Sequence, residues 1–107
     1  MMNDLELRTE LVTRYNTFRQ KIAEMFSETT QRSVDAALAY ADRHIGTLTR
    51  YDGNPMLDHD VEVARIVATE VGLGRNSTVA SILHDAVRIV AQREGEDEQL
   101  DQMLKEI

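Results

Sequence analysis

The chain has 107 residues, 42% of them hydrophobic and 29% charged, with no cysteine and a formal net charge of −7. That length suits one domain or part of one. The missing thiols exclude disulfides and thiolate metal sites, and the acidic balance argues against a nucleic-acid footprint, which needs clustered Lys and Arg. A phosphorylated ligand held by a few local basic residues stays open. No apolar run approaches the roughly 18 residues of a membrane span. The opening MMNDLELRTE lacks a basic region followed by an apolar block, so a cytoplasmic protein is the default expectation.

Leu11, Tyr15, Phe18, Ile22 and Met25 recur at spacings of four and three, which predicts an amphipathic helix over about residues 4–26, with Asn3 or Asp4 to cap it. Val34, Ala37, Leu38 and Ala41 predict a second helix over about 30–44, alanine-rich enough for neighbours to approach closely. HIGTLTRYDGNPMLDH then breaks the pattern with the turn signals Gly46, Asp52-Gly53 and Asn54-Pro55. A third helix is expected near 58–71, with Val63, Ile66 and Val67 inward. VGLGRNS ends it. Ser77 reads as the cap of a fourth, almost wholly buried helix carrying Val79, Ile82, Leu83, Ala86, Val87 and Val90. REGEDEQ reads as an acidic turn leading into a short amphipathic helix with Leu100, Met103, Leu104 and Ile107. No segment alternates as a strand does, so the expected fold is an all-α bundle of about five helices.

ASILHDAVRIV, residues 80–90, holds the only adjacent His-Asp pair, His84-Asp85. Neighbours on a helix lie about 100° apart around its axis, so both can flank one point in a groove. His59 opens the preceding helix and approaches the pair if the two helices pack antiparallel. Two imidazoles and one carboxylate suit a borderline divalent ion such as manganese, iron or zinc. On spacing alone, structural hydrogen-bonded histidines are the favoured reading over a metal site. His44, in the last turn of its helix, suits the helix dipole.

Residues 39–90 resemble the N-terminal HD domain of the RelA/SpoT family, enzymes that make and degrade guanosine tetra- and pentaphosphate in the bacterial stringent response. The resemblance rests on His44, Gly46, Arg50, Gly53, Pro55 and His59, followed by Leu83-His84-Asp85. It implies the first half of an HD-domain fold, in the N-terminal fragment of a longer protein. It also implies that His59, His84 and Asp85 are three of four manganese ligands, with the fourth, an Asp on a later helix, beyond Ile107. Arg50 falls where the family places a basic residue beside the guanine nucleotide; Tyr51, where the family is usually basic, offers a ring that can stack on a base but reduces the phosphate-facing charge. A surface arginine paired with Asp52 or Asp58 is the plain alternative for Arg50.

The chain departs from the family pattern where the chemistry happens. The hydrolases carry a Glu-Asp pair three and four residues after the metal Asp; here those positions are Arg88 and Ile89. Arginine stays protonated at neutral pH and isoleucine has no proton to exchange, so no catalytic residue is assigned. Pro-Tyr is Pro55-Met56, and one extra residue separates His44 from Arg50. The resemblance therefore implies a segment of a guanosine polyphosphate enzyme with a degenerate pyrophosphohydrolase site and weak or absent manganese binding. A working hydrolase completed from outside this chain and a helical interaction module remain as alternatives. The expected partners are a guanosine polyphosphate and a second copy of the chain, joined through exposed apolar surface.

Overall fold

Residues at helical spacing coil into helices almost throughout the computed structural model, which describes residues 10–105, apart from the side chains of 100 and 101. A helical stretch over 10–14 leads into α1 (Asn16–Ala23), followed by α2 (Glu28–Ile45), α3 (Met56–Thr69) and α4 (Arg75–Lys105). The fold is all-α; an isolated bridge between Thr49 and Pro55 is the nearest approach to sheet among the described residues. No helix among them is long and apolar enough to cross a membrane.

The first expected helix carries a turn at Tyr15, but backbone bonds from Tyr15 N–H to Leu11 O (2.9 Å) and from Arg19 N–H to Tyr15 O (3.0 Å) carry the path across it. Its expected caps, Asn3 and Asp4, lie outside the described residues. α2 starts at Ser27, whose hydroxyl accepts the Thr30 N–H at 3.2 Å. Glu28 in its first turn and Arg43 and His44 in its last complement the dipole. His44 also lies against Tyr40, with ring centroids 4.6 Å apart. Both nitrogens of the Arg19 guanidinium that face Asp35 bind its carboxylate at 2.8 Å and pin α1 to α2.

Four expectations about the later helices are corrected. The buried stripe of α3 runs through Leu57, Asp60, Val61, Ala64 and Ala68, while Val63, Ile66 and Val67 are only half-buried. α4 begins at Arg75, so Ser77 is inside the helix and does not cap it; the buried Thr78 instead donates its hydroxyl proton to Gly74 O at 3.0 Å. Only one face of α4 is buried, through Thr78, Ile82 and Ala86, and Val87 is 54% exposed. Finally, REGEDEQ forms no turn: α4 is continuous to Lys105. Its Arg, Glu and Gln residues are good helix formers, and the single Gly95 costs only about 1 kcal/mol relative to alanine. Met103 and Leu104 sit exposed on this extension; Ile107 lies outside the described residues.

The core gathers Leu11, Tyr15, Phe18 and Ile22 from the N-terminal helices with Leu38, Ile45, Leu57, Val61, Ile82 and Ala86 from the rest. α4 packs on both α2 and α3. Ala37, Ala41, Ala64, Ala68 and Ala86 are all buried, and their small side chains let the helix axes come close.

Candidate metal centre

The segment between α2 and α3 folds back on itself. Arg50 N–H donates to Asn54 O (2.8 Å), Gly53 N–H to Arg50 O (2.9 Å) and Met56 N–H to Leu48 O (3.0 Å). Gly53 takes φ +85°, a left-handed conformation that glycine adopts without a steric penalty. Asp52 Oδ1 accepts the Asn54 N–H at 3.0 Å. The turn thus delivers Arg50 beside the start of α3. Tyr15 and Arg14 both donate to Asp58 Oδ1, at 2.6 and 2.7 Å, tying the N-terminal helical stretch to the first turn of α3.

After α3 the chain turns through residues 70–74, with Gly72 at φ +78°. α4 then runs back beside α3, so that Asp60 faces His84 and Asp85. A cavity of about 510 Å³ opens between these elements, lined by Arg50, His59, Asp60, Ser81, His84 and Asp85, with Val63 and Ala80. The sequence-predicted residues Arg50, His59, His84 and Asp85 therefore share one cavity. Tyr51 is not on the cavity wall: its ring is 95% exposed, and the Arg50 guanidinium lies 5.5 Å from its centroid. Arg50 also pairs with Asp52 at 3.6 Å, whereas Asp58 is occupied by Arg14.

The tight group within the cavity is Asp60, His84 and Asp85, each offering a ligand atom within 4.8 Å of the others. This group can hold a metal ion. His59 lines the same cavity but is outside the group; Asp60, on the buried face of α3, takes the place expected of it. His84 is exposed, with its Nδ1 3.6 Å from Asp85 Oδ1. Asp85 is half-buried and Asp60 is 3% exposed. The Oδ2 atom of Asp60 is buried with no hydrogen-bond partner.

Two carboxyl groups this close do not ionise independently. Burial pushes the Asp60 carboxyl up to about 7; the neighbouring Asp85 adds to the rise and Arg50 opposes it. Desolvation works on Asp85 in the same sense, but its contact with the protonated Asp60 and the Arg88 guanidinium outweigh it and hold Asp85 below the usual carboxylate range. The Arg88 Nη2 and Nε atoms approach Asp85 Oδ1 at 3.2 and 3.3 Å. Arg88 thus reaches back one turn onto a cavity carboxylate, and Ile89 packs against the core. Neither position presents a group able to take a proton from water.

Asp60 is the site residue that the sequence analysis missed. A signal was present: Leu57, Asp60 or Val61, Ala64 and Ala68 follow a helical stripe, and an acid on such a stripe is out of place unless something pairs with it. No family model, curated protein or solved structure matches this chain.

Proposed function

We propose that this chain is a hydrolase-like segment of the RelA/SpoT kind, which binds a guanosine polyphosphate and a divalent cation, manganese by the resemblance, but has lost hydrolysis. The observation that carries this reading is the convergence of Arg50, His59, His84 and Asp85, read in that order from the sequence motif, on one cavity. The cation neutralises phosphate charge, and Arg50 offers a planar guanidinium suited to phosphate oxygens. Loss of hydrolysis follows from Arg88 and Ile89. A positioned general base contributes about 10²–10⁴-fold in rate, and here an arginine bound to Asp85 stands where the resemblance implies an acid.

Titration of the chain with guanosine tetraphosphate in the presence of manganese tests this. Saturable binding is expected, weakened about tenfold or more in Arg50→Ala, with no release of pyrophosphate. Equal binding by the two proteins removes Arg50 from the site. Manganese-dependent pyrophosphate release that disappears in Asp85→Ala overturns the loss of hydrolysis. Absence of nucleotide binding overturns the reading as a whole.

A further inference from the structure

We propose that Asp60 is a metal ligand and that Asp60, His84 and Asp85 form a divalent-cation centre contained within this chain. The proposal deepens the cation half of the reading above and rests on it for the choice of cavity. The motif that suggested the site places no ligand at Asp60 and requires an acid from a later helix. The geometry supplies that acid from α3 instead.

Asp60 is 3% exposed, sits in the apolar stripe between Leu57 and Val61, and leaves Oδ2 without a hydrogen-bond partner. Among the described residues no lysine or arginine forms an ion pair with it. A buried carboxylate oxygen without a partner is costly, and native proteins rarely leave one. The oxygen that lacks a partner belongs to the residue grouped with His84 and Asp85 at 4.8 Å or less. Ligand atoms bound about 2.1 Å from one ion lie no more than roughly 4.2 Å apart, so small side-chain rotations close the group onto a common centre.

Two carboxylates and one imidazole make a hard-to-borderline donor set, suited to manganese(II) or iron(II) and lacking the thiolates that favour softer ions. The half-buried His59, on the same cavity wall, and water have room to complete the coordination. The exposed His84 marks the entry path. Arg88 competes for Asp85 from outside the cavity at 3.2 Å, so cation binding displaces or loosens that pair.

Calorimetric titration with manganese(II) alone, at pH 7.5 and with no nucleotide, is the test. The 107-residue chain is expected to bind one ion saturably, with a melting temperature that rises with manganese. Asp60→Asn keeps the side-chain shape but should bind at least about tenfold more weakly, the scale reached even by losing an outer partner of a ligand. Asp97→Asn, at an exposed acid on α4 remote from the cavity, should titrate as wild type. His84→Ala alters an exposed side chain, so its expected tenfold loss is readable even if Asp60→Asn folds poorly. Wild-type protein without saturable manganese binding, or wild-type affinity in Asp60→Asn or His84→Ala, overturns the centre. Because no nucleotide is present, failure here is separate from failure of guanosine tetraphosphate binding.

Discussion

The metal-free chain should lose stability as pH rises from about 4 to 7, and Asp60→Asn should abolish most of that loss. The sign follows from linkage. The folded-state pKa of Asp60 is raised to about 7 by burial and by Asp85, so between the ordinary carboxylate value and 7 the native state holds a proton that the unfolded state has released. Stability falls with pH wherever the native state binds more protons. The contribution is complete below about pH 4 and lost by the time pH passes 7. At about 1.4 kcal/mol per unit, the loss is on the order of 4 kcal/mol. Asparagine is nearly isosteric, carries no charge and can donate to Asp85 at any pH. Asp60→Asn should therefore match the wild type near pH 4 and exceed it by that amount at pH 8. Urea unfolding at pH 4, 5, 6, 7 and 8 with a chelator present reads both curves; parallel curves would mean that Asp60 does not carry the proton. Asp85, whose pKa is lowered, contributes in the opposite sense and only at lower pH, where stability is lost as the pH falls through its folded value. The same substitution that stabilises the metal-free protein at pH 8 should weaken manganese stabilisation, a pairing of opposite effects that a purely structural Asp60 would not produce.

Ile82→Ala should cost about 2–5 kcal/mol, the range for emptying a fully buried aliphatic site. Ile82 is fully buried on the face of α4 that packs against α2 and α3, so the cavity it leaves loosens the support of both neighbours at once. For a domain whose total stability is about 5–15 kcal/mol, that is a large fraction. Val87→Ala, five residues later on the half-exposed side, should stay within about 0.5 kcal/mol of wild type. Urea midpoints of the two variants separate the faces of α4. If Val87→Ala were the more damaging of the two, the phase assigned to this helix would be wrong.

Much of the site was legible before folding. Adjacency alone brings His84 and Asp85 together on a helix, and the turn residues around Gly53 fix Arg50 at the head of α3. The reach of Arg88 onto Asp85 also follows from spacing, since residues three apart on a helix are neighbours. Tyr51 was harder to place: a turn residue's direction depends on the turn's own hydrogen bonds, and these leave its ring in solvent. The acidic stretch after Arg93 looked like a break because of its polarity, but helix continuity depends on backbone preference, and only Gly95 opposed it.

The sequence by itself determined that the chain is helical, that it turns around Gly53 and again around Gly72 and that an imidazole and a carboxylate stand side by side on one helix. Only the tertiary structure decided which face of α3 turns inward. Val61, Val63, Ala64, Ile66, Val67 and Ala68 cover more than one side of that helix, so periodicity set the spacing of its apolar stripe but not its phase. The close packing of α4 on α3 selected the face carrying the small residues Ala64 and Ala68 over the one with the bulkier Ile66 and Val67. That choice rotates Asp60 out of solvent and against His84 and Asp85, because a side chain's burial is set by the neighbour that covers it and not by its own polarity.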